Sequence, residues 1–213
     1  KKETILARDP FGEKPLYYSI NNNTLYFSSE IYSLQKLLNE QQNLHYQQIG
    51  YFLWKGYNTY ENTIYKNIHT VKPNSYLKFE NYKTFKYYNE LNFSFKNNKT
   101  KSEVFSNLIK DTVSSRMISD HDIGCLISGG IDSALIGKYS KDYNHNIKTY
   151  SVNYSNQETY FINEVLNTIK SEHKYLNGRI DSLISTVDKI VEIFNEPFGD
   201  ISSIFTNIIF NKI

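Results

Sequence analysis

Ile123-Gly124-Cys125-Leu126-Ile127-Ser128-Gly129-Gly130-Ile131-Asp132-Ser133 decides how the 213-residue chain is read. Ile123 to Ile127 is an apolar run of strand length, and Ser133 to Tyr143 follows with a helical spacing of apolar positions. Between them lies a loop with adjacent glycines. Two glycines let backbone amides approach an anion with no side chain in the way, and the helix that follows presents unpaired N–H groups and the positive end of its dipole. Ser128 and Ser133 add hydroxyls. A carboxylate at Asp132 would repel a phosphate directly, so its place in such a loop is to hold Mg²⁺ against a polyphosphate. The lysine and spacing of the kinase-type phosphate loop are absent. The alternative is an ordinary Gly-Gly turn with a Ser/Asp cap; the strand, loop and helix in register favour a nucleotide site.

Working outward from the loop, the downstream sequence alternates: strand Ile147 to Val152, helix Glu158 to Ser171, an extended piece at His173 to Leu176 and helix Ser182 to Phe194. That alternation predicts a parallel sheet covered by helices. Upstream, Thr100-Lys101-Ser102-Glu103 has the Thr-x-x-Glu form of a capping box, opening a helix to about residue 117. The polar tract Asn92 to Thr100 marks the boundary between a first domain, 1–95, and a second, 96–213. The first reads as β-rich. Strands are expected at Thr4 to Arg8, Leu16 to Ser19, Thr24 to Phe27, Tyr76 to Phe79 and Tyr82 to Tyr88, with a hairpin through Asn21-Asn22-Asn23. A helix capped by Ser28 or Ser29 runs to Leu38, and another spans Tyr46 to Trp54. No repeat at solenoid or propeller period is present.

Charge and composition narrow the partners. Twenty-four basic against 22 acidic residues leave a formal charge of +2, too little field to draw nucleic acid or an anionic membrane surface. No stretch reaches the roughly 18 apolar residues of a membrane span. The single cysteine, Cys125, excludes an internal disulfide and suits a reducing, cytoplasmic setting. The five histidines are widely spaced and lack partners at metal-ligand spacing. Arg8-Asp9 reads as a structural pair, and Glu196 with Asp200 as helix-end and turn chemistry.

The loop resembles the pyrophosphatase-type ATP loop of enzymes that adenylate a carboxylate, and its flanks resemble the glutamine-dependent asparagine synthetase family. Arg116-Met117-Ile118-Ser119-Asp120 before Gly124-Cys125-Leu126-Ile127, Thr149-Tyr150-Ser151-Val152, and Glu196-Pro197-Phe198-Gly199-Asp200-Ile201-Ser202-Ser203 are similar to that family's segments. Ala7-Arg8-Asp9-Pro10-Phe11-Gly12-Glu13-Lys14-Pro15-Leu16-Tyr17-Tyr18 and Phe27-Ser28-Ser29-Glu30-Ile31 resemble the later part of its amidotransferase domain. Glu158 and His173 match its landmarks in part. The likeness covers nearly the whole chain in the family's order.

What the resemblance implies is an α/β and α+β chain: the end of an N-terminal-nucleophile amidotransferase β-sandwich, then a parallel-sheet adenine-nucleotide α-hydrolase-like domain with a pyrophosphate loop. It implies a ligase of asparagine biosynthesis that uses ATP and Mg²⁺ to convert aspartate to an aspartyl adenylate, with glutamine or ammonia supplying nitrogen. Ser128, Gly129, Gly130, Asp132 and Ser133 would hold pyrophosphate, Asp132 the metal, and Leu126 and Val152 the adenine side. For the last two, strand core is an equal reading. A homodimer is left open. The family's nucleophilic cysteine stands at a mature amino terminus, whereas this chain starts at Lys1, and its Ser-Gly-Asp-Gly-x-Asp-Glu segment would follow Ile213. Both ends therefore read as cuts, and the 213 residues alone are expected to make no asparagine. Phe205 stands where the family commonly has Pro, which opens two alternatives: amidation of a sugar acid of surface polysaccharide or ring closure of a β-lactam. A nucleotide-binding remnant without turnover is the reading from another class.

Overall fold

In a computed structural model, the protein is described over residues 3–39, 43–59, 61–81, 83–88, 101–153, 156–177 and 180–212. These residues form two compact units. The first takes its described residues from 3–88 and from Asp188–Asp200; the second takes those of 101–187 and 201–212.

The first unit holds β1 (Glu3–Arg8), β2 (Tyr17–Asn21), β3 (Thr24–Ser28), α1 (Ile31–Leu38), α2 (Tyr46–Lys55), β4 (His69–Thr70), β5 (Ser75–Glu80) and β6 (Lys83–Tyr88). Two antiparallel sheets result, in the orders β1-β5-β6 and β3-β2-β4. Leu6 and Leu77 of one sheet pack with Tyr18 of the other and with Val71. The hairpin is as expected from the asparagines: Asn21 pairs Thr24, and Asn22 and Asn23 take φ of 48° and 60°, the left-handed values a two-residue hairpin turn needs.

α1 begins later than the serines suggested. Ser28 still pairs with Tyr17 in the strand ladder, so the helix starts at Ile31 after an extended Glu30. The Ser28 hydroxyl instead accepts from the Glu30 N–H at 3.1 Å. Ile31, Leu34 and Leu38 are buried against Ile68, which fixes α1 on its sheet. Arg8 and Asp9 are structural, but not as a pair. Asp9 already lies past the end of β1, and the two side chains take separate partners. Arg8 donates to the carbonyls of Lys14, Gly12 and Val71, at 2.9, 3.0 and 2.9 Å. Asp9 accepts from the N–H groups of Phe11, Glu13 and Lys14, and these bonds, led by Glu13, hold its carboxyl below the ordinary range.

In the second unit are α3 (Lys101–Arg116), β7 (Gly124–Leu126), α4 (Ile131–Tyr143), β8 (Lys148–Asn153), α5 (Asn156–Ile169), β9 (Glu172–Asn177), the first part of α6 (Ile180–Phe194), and α7 (Ser202–Phe210). The proposed capping residue Thr100 and the rest of the Asn92 to Thr100 tract lie outside the described residues. The sheet is parallel, in the order β7-β8-β9, with Cys125 level with Thr149 and Thr149 with His173. One face packs Cys125 and Ile127 with Ile147, Ile162 and Ile169. The other packs Val152 and Leu176 with Ile209 of α7, a helix the sequence pattern did not announce. α5 stops at Ile169, short of the expected Ser171, because Lys170 turns left-handed (φ 53°) and its N–H closes on the Leu166 carbonyl at 2.8 Å. Residues 188–200, read from sequence as part of the second domain, pack within the first unit.

Candidate functional site

The loop between β7 and α4 has the form read from sequence. Ile127 is the last residue tied to the sheet, its N–H bonding the Tyr150 carbonyl at 2.9 Å. Gly129 takes φ +75°, which L side chains rarely adopt. A Cβ there would also stand 3.0 to 3.2 Å from the backbone and Cβ of Phe161 and the Ile162 nitrogen. Gly130 is extended (φ −81°, ψ 159°) at the helix N-cap and gives no side-chain cap. The Ala134 N–H bonds the Gly130 carbonyl at 3.0 Å and so starts the helical ladder. The N–H groups of the first turn precede that ladder, as the donors of an anion site do.

Ser133 braces the loop from inside the helix. Its hydroxyl donates to the Gly130 carbonyl at 3.0 Å, accepts from the Ser128 N–H at 3.2 Å and lies 3.1 Å from the Ser128 hydroxyl. Ser128, Gly129, Gly130 and Ser133 are thus brought together in one turn. Asp132 is exposed in the first turn of α4. It lines, together with Leu126, a cleft of about 640 Å³ walled mostly by apolar residues, among them Leu108 and Val113 of α3 and Leu135 and Ile136 of α4, with Thr112, Arg116 and Ser140 as polar members. Val152 is not in that cleft. It is buried with Leu176 and Ile209, against which Phe205 also packs. Among the described residues no group of three or more His, Cys, Asp or Glu could hold a metal ion.

Behind the loop, the Ser151 hydroxyl donates to the Ile127 carbonyl. His173 stands one strand further on. Its Nδ1 is 2.8 Å from the Thr149 hydroxyl, which is 2.7 Å from the Ser171 hydroxyl, and its ring meets Tyr175 edge-on at 4.5 Å. Burial pushes the imidazole below its ordinary value, and among the described residues Nε2 is buried without a partner. This histidine ties β8 to β9. Cys125 is buried, and burial raises its thiol, which removes thiolate character.

A second polar feature escaped the sequence reading. Within the first unit, a cleft of about 670 Å³ is lined by Arg8, Tyr17, Asn58, Thr63 and Thr70 and by Glu196, Phe198, Gly199 and Asp200. Glu196 lies half-buried in the bend just past the end of α6, the helix-end place the sequence suggested. Burial drives its carboxyl up to about 7, against the pull of the Ile64 N–H and of the Asn58 amide, whose Nδ2 donates to Glu196 Oε2 at 2.8 Å. A carboxyl near neutrality in a cleft is what proton-transfer chemistry uses. Its sequence context, Asn195-Glu196-Pro197, carried no sign of Asn58, 138 positions away, that bonds it.

The sequence matches the asparagine synthase family over residues 105–213 and the glutamine amidotransferase domain family over residues 1–89. A Methanocaldococcus jannaschii protein assigned by name to the glutamine-hydrolyzing asparagine synthetases is 28% identical over 215 residues, covering 95% of this chain and 42% of the relative. Glutamine-hydrolyzing asparagine synthetase 1 of Bacillus subtilis strain 168 is 30% identical over 208 residues, 93% of this chain and 32% of the relative. Asparagine synthetase 3 of the same strain is 26% identical over 166 residues, 73% and 27%. The chain belongs to the asparagine synthase family. It spans less than half the length of these relatives.

Proposed function

We propose that this chain is part of a glutamine-dependent asparagine synthase. In this reading residues 1–95 are the end of an N-terminal-nucleophile amidotransferase domain, and 96–213 begin a synthetase domain of the pyrophosphate-loop type. ATP adenylates the aspartate side chain with release of pyrophosphate. Ammonia from glutamine then attacks the acyl carbon, AMP leaves, and one nitrogen-borne proton must be taken up to give the amide. The protein is a ligase of amino-acid biosynthesis acting in the cytoplasm; among the described residues no helix is long and apolar enough to cross a membrane.

The observation that carries the reading is the braced loop. Ser128, Gly129, Gly130 and Ser133 frame the first turn of α4, where free amides would meet pyrophosphate oxygens. Asp132 would hold Mg²⁺, whose chemistry is to neutralise the polyphosphate charge. The apolar cleft beside it supports an adenine contact for Leu126, while Val152 rests on the family likeness alone. The 213 residues by themselves are proposed to be inactive. The test is ATP–pyrophosphate exchange with aspartate, measured on a protein of the relatives' full length. Exchange should require Mg²⁺ and should fall far more in Asp132→Ala than metal-free nucleotide binding does. Equal exchange in variant and parent would sink the assignment of Asp132, and exchange driven only by another carboxylate would move the acceptor away from aspartate.

A further inference from the structure

The cleft of about 670 Å³ has every lining residue in the first unit, and its volume suits a small organic ligand. Which ligand it suits follows from the polar groups already engaged. Arg8 commits its guanidinium to the protein: Nε donates to the Lys14 carbonyl at 2.9 Å, Nη2 to the Gly12 carbonyl at 3.0 Å, and Nη1 to the Val71 carbonyl at 2.9 Å and the Thr70 hydroxyl at 3.1 Å. The hydroxyls also donate inward, Thr59 to Gln48 Oε1 at 3.0 Å, Thr63 to the Ile68 carbonyl at 2.7 Å and Thr70 to the Leu16 carbonyl at 3.4 Å. Lys55 Nζ lies 3.7 Å from the centre of the Trp54 ring. With these donors engaged, the cleft is poorly equipped for an anion, in spite of its two cations.

The acceptors are in the opposite condition. Asn58 donates through Nδ2 to Glu196 Oε2 at 2.8 Å, and among the described residues its Oδ1 is buried without a donor. Turning the amide over would set that oxygen against the carboxylate, acceptor to acceptor. A buried amide oxygen with no partner is rare enough in folded proteins to need a reason. Glu196 accepts from Asn58 and from the Ile64 N–H, and a carboxylate has room for more. Aromatic rings share the cleft with these oxygens: exposed Phe11 and Tyr57, and Phe198, which is held by stacking on Phe194 with centroids 4.2 Å apart. Ring faces beside a carboxylate recognise an organic cation. The amide oxygen further requires that the cation carry N–H donors.

We propose that this cleft is a binding site for a primary alkylammonium, its head held between the Glu196 carboxylate and the Asn58 amide oxygen and its apolar stem lying along Phe11, Tyr57 and Phe198. The site belongs to the first unit by itself and does not depend on the synthase reaction. A metal ion fits less well, since among the described residues no group of three or more His, Cys, Asp or Glu could hold one. A bound cation favours the ionised form of Glu196, whose carboxyl burial otherwise raises to about 7. The other charged and titratable groups lining the cleft are Arg8 from β1, Tyr17 from β2, Lys55 and Tyr57 at the end of α2, and Asp200 from the Glu196 segment. Tyr17, raised above its ordinary 10 by burial first and then by the Glu196 charge, stays protonated near neutral pH. Binding should therefore tighten about tenfold from pH 6 to pH 8, as the ionised fraction of Glu196 grows.

The experiment titrates the full-length protein with n-butylammonium chloride by calorimetry, with n-butyrate, tetramethylammonium and ammonium chloride as further probes. Mass-resolved hydrogen exchange locates the bound probe. n-Butylammonium should saturate one site with a Kd of about 1 mM, ordinary for a ligand of its size, and should slow exchange in residues 56–59 and 195–200. Ammonium, which lacks the stem, and tetramethylammonium, which lacks N–H donors, should bind at least about tenfold more weakly, and butyrate should not bind. Glu196→Gln, which keeps the shape and removes the charge, should weaken n-butylammonium about tenfold at pH 8 and abolish the pH dependence, and Asn58→Leu should weaken it by a similar factor. Should Asn58→Leu fail to fold, Glu196→Gln decides, because an amide in place of the carboxyl leaves the packing of the cleft unchanged. Absence of saturable binding in the parent, any of the other three probes bound as tightly as n-butylammonium, protection confined to other parts of the molecule, or undiminished affinity in Glu196→Gln overturns the proposal.

Discussion

The loop at residues 128–133 and the cleft around Glu196 are both polar, but they are built in opposite ways. Every brace of the loop spans five residues or fewer: Ser128 to Ser133 and Ser133 to Gly130. The bonds that hold Glu196 and its neighbour span 138 and 130 residues. The loop is held by local turn geometry and left largely exposed. The Glu196 carboxyl is half-buried by chain that arrives from far away, and that partial burial is what raises its proton affinity. Substitutions at the two places should therefore separate what folding needs from what ligand binding needs.

The largest effect is expected at Gly199. A Cβ at this position would stand 2.3 Å from the Gly56 carbonyl oxygen and within 3.2 Å of two more backbone atoms of Gly56, none of which can swing aside. Gly199→Val should destabilise the protein by about 3 kcal/mol through overpacking, with exposure of the 195–200 segment to hydrogen exchange. Urea unfolding measures the first and mass-resolved exchange the second. A variant as stable as the parent would mean that the segment is not seated on Gly56.

Next is the pH dependence that half-buried Glu196 imposes. Its folded value, about 7, lies above its ordinary 4.5, so between those pH values the folded state holds more proton than the unfolded one. Stability from this group is therefore fully present below about pH 4.5, declines as pH rises and is lost above about 7. The shift corresponds to about 3 kcal/mol, and with part of the carboxyl facing the open cleft we expect about 2 kcal/mol. Glu196→Gln should gain that amount at pH 8 and little at pH 4, by thermal or urea unfolding across pH. A gain equal at both pH values would show that the carboxyl titrates normally.

The same contrast explains what could be read from the sequence. The hairpin at Asn22-Asn23 and the loop follow from neighbours within a few residues and the parallel sheet from the alternation of strand and helix along the chain, and all three took the expected form. Start and stop errors arose where a tertiary choice intervened: Ser28 was taken into the strand ladder before it could cap a helix, and Lys170 turned left-handed. Glu196 stands at the end of α6 as expected, but its hydrogen-bond partners are not local. In Asn195-Glu196-Pro197 nothing local distinguishes a solvated carboxylate from one that meets Asn58 and Ile64. Arg8 and Asp9 were legible as structural residues, although their partners, a set of backbone carbonyls and amides, were not.

Within the loop, the two glycines should respond differently, because only one is strained. Gly129 is left-handed and crowded by α5, so Gly129→Ala should cost about 1.5 kcal/mol of stability even without ligand. Unfolding of the ligand-free protein reads this directly. Parent-like stability would mean that the turn relaxes to a conformation open to any residue.

Gly130 gives the smallest effect on folding and the sharpest test of function. Its φ of −81° and ψ of 159° suit any residue, and a Cβ there would meet only the Ser128 hydroxyl oxygen, at an ordinary 3.5 Å. The backbone-strain part of the case for glycine therefore applies to Gly129 and not here. Gly130 is also the N-cap of α4 and offers no side-chain acceptor to the helix amides. Serine caps better than glycine by a few tenths of a kcal/mol, so Gly130→Ser should leave stability unchanged or raise it by about 0.3 kcal/mol. A capping hydroxyl would, however, occupy the first-turn amides that the proposed pyrophosphate site requires. Gly130→Ser should thus keep its unfolding midpoint and lose ATP–pyrophosphate exchange, a separation that no destabilised variant can mimic. Parent-like exchange in a protein whose serine is seen to cap α4 would place the pyrophosphate elsewhere and leave the glycine unexplained.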